Sequence, residues 1–197
     1  MEKSISGDFK IVEEPKKTLA MEPKKFAMWL FLGSVVMLFA ALTSGYIVRR
    51  AEGNWLFFEL PVVFYYNTVV IILSSITMQW AYFAAKKDNL PLLKLLVAIT
   101  SLLGVSFLVG QVYGWGDMAE RGIYLVGNPS GSFVIALTFV HGLHLISGVV
   151  FLLLVLISTF RFQVHSKSML KLELCTTYWH FLGGLWLYLF VFLLLYR

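Results

Sequence analysis

Two stretches decide how this chain reads: Phe139–Gly148, FVHGLHLISG, and Thr177–Leu187, TYWHFLGGLWL. Each sets histidine inside an apolar run long enough to cross a bilayer, where an imidazole costs free energy unless something specific satisfies it. On a helix, His141 and His144 lie about 60° apart around the axis, with Gly148 one turn beyond His144. In the second stretch His180, Gly183, Gly184 and Leu187 fall at i, i+3, i+4 and i+7. Both faces combine imidazole with glycine, a pattern that lets another helix come close and meet a hydrogen-bonding group.

Working outward, the chain is 59% hydrophobic and only 14% charged, against roughly a quarter charged in soluble domains. The hydrophobicity is concentrated in five runs, 26–48, 62–85, 90–113, 132–160 and 174–196, each at or above the roughly 20 residues that span a hydrocarbon core. The fold expected is all-α: a polytopic membrane protein, a bundle of five transmembrane helices at 26–197, preceded by a flexible charged tail at 1–25. The first run is of full spanning length, so it is read as an uncleaved helix rather than a secretory signal.

Lysine and arginine set the orientation. Lys3, Lys10, Lys16, Lys17, Lys24, Lys25, Lys86, Lys87, Lys94, Arg161, Lys167 and Lys171 fall on one side of the five runs; Arg49, Arg50, Arg121 and Arg197 fall on the other. This imbalance predicts a cytoplasmic N-terminus and an external C-terminus. The net charge of +5 is therefore a topology signal and not a nucleic-acid footprint. The single cysteine, Cys175, excludes an internal disulfide and a cysteine-cluster metal site, and is expected to be a small apolar filler.

Polar residues inside the runs need partners. Asn67 and Gln79 in the second run cannot easily bond back to their own helix and are expected to face protein or the interface, whereas Ser74, Ser75 and Thr77 can. Small residues of the first run, Gly33, Ser34, Ala40, Ala41, Ser44 and Gly45, predict close helix packing there. Trp29 and Tyr46 suit the two interfaces. The connection Gly114–Gly131 reads as the longest loop, carrying Asp117, Glu120 and Arg121. No carboxylate lies between the ends of the five predicted helices, and no proton conduction by this chain itself is expected. His144 and His180 fall at similar depth on consecutive antiparallel helices, where an imidazole pair or a shared water would fit.

The motif HGLH at His141–His144, with Ser147 and Gly148, then YWHFL at Tyr178–Leu182 with Trp186 one turn later, resembles the last two helices of subunit III of the haem-copper terminal oxidases, the cytochrome c oxidase subunit III family. Ser74–Thr77 with Asn67 and Thr68, Leu102–Gly104 with Gln111, and GNPSGSF before the fourth helix are also similar. The likeness covers about residues 24–197 and fits the five-helix form of the family.

The resemblance implies an accessory subunit without a redox centre, in a bacterial-type cytoplasmic membrane. Such a subunit packs on oxidase subunit I beside subunit II, within the oxidase or a larger respiratory supercomplex. It holds phospholipid between its helices, steadies the complex and supports proton uptake, while haem and copper stay in the partner subunits. No catalytic, cofactor or metal residue is then expected here. His141, His144, Gly148, Arg161, Trp179, His180, Gly183 and Trp186 are expected to serve lipid or subunit packing. Two departures stand out: Ser34 is followed by Val35 where the family commonly has a membrane-embedded glutamate, and Gly183 stands where it commonly has aspartate.

Two other functions compete. A bis-imidazole haem anchor would use His144 with His180. A transporter or channel would show repeats, interrupted helices or buried charge, none of which the sequence offers. The electron donor of the complex, cytochrome c or a quinol, is a property of other subunits, with cytochrome c preferred.

Overall fold

The computed structural model describes residues 22–160 and 169–196, and five helices account for most of them: α1 (Pro23–Ala51), α2 (Val62–Lys86), α3 (Leu90–Glu120), α4 (Pro129–Phe160) and α5 (Leu170–Tyr196). All five are long and apolar enough to cross a membrane. The helices are 25 to 32 residues long, and at 1.5 Å per residue the longest extends about 48 Å, so its ends pass beyond the hydrocarbon core. Most of the predicted tail lies outside the described residues, as do Arg161, His165 and Lys167.

Several ends differ from expectation, each for a local reason. Pro23 can occupy the first turn of α1 because the missing N–H has no intrahelical partner there. α3 runs seven residues beyond Tyr113, because its extra turns remain packed: Gly114 lies against Phe64 of α2, Met118 is buried, and Trp115 Nε1 donates to Thr138 Oγ1 of α4 at 3.0 Å. The expected long loop thus shrinks to Arg121–Asn128, and Asp117 becomes a helical residue paired with Arg121 at 2.8 Å. α5 begins at Leu170, which places Glu173 in its first turn, where the helix dipole favours a carboxylate. Carboxylates therefore do lie within the helices, though only in their terminal turns.

The turn between α2 and α3 is tight. Asp88 takes the left-handed conformation (φ 50°). The Asn89 N–H bonds Ala84 O and the Asp88 N–H bonds Ala85 O, the pairing of a Schellman stop. Asn89 Oδ1 then accepts from the Leu92 N–H to start α3. The result is an antiparallel pair with the most extensive helix contact in the molecule.

Helices α2, α3, α4 and α5 form a closed ring in which each packs on the next and α5 packs back on α2. α1 stands outside this ring, touching α4 and α5 only. Its buried residues, Leu32, Val35, Phe39, Thr43 and Tyr46, form one stripe of mainly large side chains. Gly33, Ser34, Ala40, Ala41 and Ser44 face outward instead, contrary to the packing expected of them. The reason is rotational: the single stripe α1 presents to α4 and α5 already holds two aromatics whose contacts leave no room for a second orientation. Tyr46 is likewise buried rather than interfacial. Its ring meets Trp55, Phe133 and Phe192, and its hydroxyl donates to Tyr196 O at 3.1 Å.

Inside the ring, glycine is required where α5 presses on its neighbours. A Cβ on Gly104 would come 2.6 Å from Trp179 Cη2, and one on Gly148 would come 2.7 Å from Leu182 Cδ1. Gly184, in contrast, has nothing within 4 Å of such a Cβ. Gly104→Val is expected to destabilise the chain by about 1–3 kcal/mol through overpacking, while Gly184→Ala leaves stability within about 0.5 kcal/mol. Thermal aggregation midpoints in detergent compare the two, and equal midpoints would contradict the packing described.

Candidate packing and lipid-facing site

The motif residues of α4 and α5 meet in two stacked layers at the centre of the ring. In the inner layer Trp179 is 1% exposed, and its Nε1 donates to Ser74 Oγ of α2 at 3.1 Å. The same indole fills the gap left by Gly104 of α3 and Gly148 of α4. One side chain from α5 thus touches all three other members of the ring. In the outer layer Trp186 Nε1 donates to Thr68 Oγ1 of α2 at 3.0 Å. Its ring stands edge-on to Phe107 of α3 at 4.9 Å and lies 5.4 Å from the His141 ring of α4.

Indole has a single N–H donor, and no water is at hand in hydrocarbon, so an unmet donor there is costly. α2 supplies the acceptors from hydroxyls that already donate within their own helix: Ser74 to Ile71 O at 2.8 Å and Thr68 to Phe64 O at 2.8 Å. A hydroxyl can do both, because it carries one donor and two lone pairs.

The three motif histidines differ in their hydrogen bonding. His141 is fully buried among Phe39, Phe107 and Trp186, and neither ring nitrogen has a hydrogen-bond partner. Both side-chain polar atoms of Gln111, on α3, are buried in the same condition. His144 points toward α1: its Nδ1 lies 2.8 Å from Val140 O on its own helix, and its ring meets Phe39 at 5.8 Å. His180 points toward α2, with Nε2 at 3.0 Å from Gln79 Oε1.

The expected pairing of His144 with His180 is therefore not what the two rings make. α4 and α5 are neighbours, but the rings leave that contact on opposite sides, one to α1 and one to α2. Tyr178, which the motif reading quoted without a role, is the α5 residue that reaches His144. Its hydroxyl oxygen lies 2.6 Å from Ser147 Oγ and 3.2 Å from His144 O, while Phe31 of α1 meets its ring edge at 5.6 Å.

Gly183 lies against α2, where a Cβ would come 3.0 Å from Ser75 Oγ. Asn67 Nδ2 donates to Phe107 O at 3.4 Å, and Asn67 also lies against Gly110. Thr77 and Thr100 hydroxyls meet at 2.8 Å between α2 and α3. Asn67 and Gln79 thus both face protein, as their chemistry required. Cys175 is buried as a filler. Among the described residues no three of His, Cys, Asp and Glu converge as a metal-ligand set. Arg161 lies outside those residues.

Residues that composition and motif left without a role complete the site. Asn128 ties the α1–α2 and α3–α4 connections together: its Nδ2 donates to Asn54 O at 3.2 Å, and its Oδ1 accepts from the N–H groups of Leu56 and Ser130. At the other end Lys25 Nζ and Glu173 Oε2 pair at 2.7 Å and join α1 to α5.

Open grooves run beside α5 where α1 and α2 flank it without touching one another. One, of about 490 Å³, reaches from Lys25 and Glu173 to Gln79 and His180. A second, of about 400 Å³, continues from Gln79 and His180 over Gly183, Gly184 and Leu187. A third, of about 590 Å³, lies on the α1 side between Thr43, Tyr188 and Tyr196.

Replacing Gln79 by Leu and His180 by Phe, singly and together, is expected to give a coupling energy of about 0.6 kcal/mol, with an upper range near 2 kcal/mol, from a double-mutant cycle on unfolding in detergent. Strictly additive effects would remove the bond from the account.

The sequence comparisons agree with this construction. The chain is 28% identical to cytochrome c oxidase subunit 3 of Bacillus sp. (strain PS3), over 96% of this chain and 93% of that protein. It is 30% identical to a probable cytochrome c oxidase subunit 3 of Mycobacterium tuberculosis, over 82% of each. It is 29% identical to a probable quinol oxidase subunit 3 of Staphylococcus saprophyticus, over 84% of this chain and 85% of that protein. Residues 56–197, which hold α2 to α5 and therefore the whole ring, match the family described as cytochrome c oxidase subunit III, and the chain belongs to that family.

Proposed function

We propose that this chain is the accessory third subunit of a respiratory haem-copper oxidase in a bacterial cytoplasmic membrane, with its N-terminus inside and its C-terminus outside. Family membership makes it part of a multi-subunit oxidase. Within that assembly it packs on subunit I, beside subunit II, and a larger respiratory supercomplex is the natural cover for whatever flank remains. Haem and copper belong to the partner subunits, and electrons bypass this chain. The lysine and arginine imbalance supports the orientation.

The observation that carries this reading is how the family motif is used. Trp179, Trp186 and His180 each fasten α5 to α2, and Gly148 lets α4 close on α5. The motif therefore builds a rigid accessory body. The outward stripe of Gly33, Ala40, Ala41 and Ser44 on α1 is a surface on which a partner's transmembrane helix can approach closely. Bound phospholipid fits the external groove between Thr43 and Tyr196. Arg161, at the inner end of α4 by sequence, suits a lipid phosphate. Stability of the complex and support of proton uptake follow from holding subunit I and its lipid in place.

A specific observation keeps the electron donor in view: relatives include both a cytochrome c oxidase and a quinol oxidase subunit. Cytochrome c is the preferred donor of the complex. Affinity purification in mild detergent is expected to recover a large haem-bearing chain in equimolar amount, and the purified complex is expected to oxidise reduced cytochrome c faster than a quinol. Recovery of this chain alone, or with its own b-type haem spectrum, would overturn the accessory reading; faster quinol oxidation would reassign the donor.

A further inference from the structure

Two of the grooves adjoin at Gln79 and His180, which line both, and together they run as a trough along α5 between α1 and α2. Its waist is a neutral hydrogen-bonding pair, His180 Nε2 to Gln79 Oε1 at 3.0 Å. His180 is ten residues past the start of α5, about 15 Å along the helix. That is too deep for a phospholipid phosphate, which stays in the headgroup layer.

Among the described residues that line the entrance, the one ammonium is Lys25, and Glu173 pairs with it at 2.7 Å. Trp29 and Tyr82 supply aromatic walls there. Beyond the waist the trough turns apolar, lined by Ile72, Ile76 and Leu187. Its floor is lowered at Gly184, which has nothing within 4 Å of where a Cβ would stand. Volumes of about 490 and 400 Å³ suit a small ligand and its tail.

We propose that this trough binds an isoprenoid quinone, its ring between Trp29 and Tyr82 with a carbonyl oxygen accepting from the Gln79 amide N–H, which the His180 bond holds in place, and its branched tail lying over Gly184. No electron transfer is assigned to it. The site deepens the lipid-holding role above and rests on that reading for the complex in which it is tested.

The test uses the oxidase complex purified in mild detergent and a photoreactive azidoquinone carrying an isoprenoid tail. Label is expected on the peptides covering 71–82 and 174–187, displaced by excess unlabelled quinone and not by phosphatidylglycerol. Gly184→Leu, which fills the trough, and His180→Phe, which removes the waist bond, are each expected to lower labelling about tenfold or more, with this chain retained in the complex. Absence of label on these peptides, displacement by phosphatidylglycerol, or undiminished labelling in both variants would overturn the quinone site. The haem-to-chain ratio, measured on the same samples, reports separately on the assembly reading. Should Gly184→Leu fail to assemble, Gly184→Ala and His180→Phe carry the comparison.

Discussion

An indole N–H in hydrocarbon must find its acceptor inside the protein, and that requirement sets the register of the whole ring. Trp179 and Trp186 are seven residues apart on α5; Ser74 and Thr68, which accept from them, are six apart on the antiparallel α2. The rises differ by about 1.5 Å, so both bonds form only when α5 has one depth and one rotation against α2. Once that is fixed, the remaining positions follow. Tyr178 must face α1, His180 must face α2, and the rings of Trp179 and Trp186 must enter the middle of the bundle. Gly104 and Gly148 complete the constraint from the other side, since a missing Cβ lets α3 close on Trp179 and α4 close on Leu182.

The fifth member of the bundle is held differently. α1 lies outside the ring, along one stripe, and polar ties join it to α5: Lys25 to Glu173 near its start, then the Thr43 and Tyr188 hydroxyls at 3.0 Å and Tyr46 to Tyr196 O toward its end. The first of these is exposed to about the extent of an ordinary surface pair and is correspondingly weak. Packing of Phe39 on the histidine rings of α4 does more. Because α1 and α2 are both fixed to α5 without meeting, the chain keeps a lengthwise groove instead of closing it. The ring is the rigid element, and α1 with its groove is where the surroundings enter.

What the sequence makes legible is what depends on summed hydrophobicity over twenty residues, and the five spans are of that kind. Their ends are less so. Beyond Tyr113 the helix continues because Gly114, Trp115 and Met118 find partners on α2 and α4, contacts that hydropathy cannot register. Asn67 and Gln79 could be assigned to protein surfaces because an amide has few options in lipid. Which surface each meets depends on helix rotation, and rotation is set by tertiary pairs such as Trp179 with Ser74. The same limit explains the small residues of α1: their spacing was visible, but the side they face is dictated by Phe39 and Tyr46. Similar depth made a pairing of His144 with His180 fit, and the bundle gave each ring a different partner, because neighbouring helices need not turn their polar residues toward each other.

The two missing carboxylates show how such a site tolerates the loss of charge. Val35, where the resemblance leads one to expect glutamate, is 2% exposed on the α1 stripe, one turn from Phe31 and one from Phe39. A charge there would need a partner among rings. Gly183, where it leads one to expect aspartate, faces Ser75 so closely that even a Cβ must displace the hydroxyl by a few tenths of an ångström. Each histidine that a carboxylate might have served has instead been met by neutral groups: Val140 O for His144, Gln79 for His180. A neutral pair avoids the desolvation cost of two buried charges. His180 thus ties α5 to α2 in a bilayer without any counter-charge, while His144 is met by a carbonyl of its own helix, so neither ring calls for a buried carboxylate.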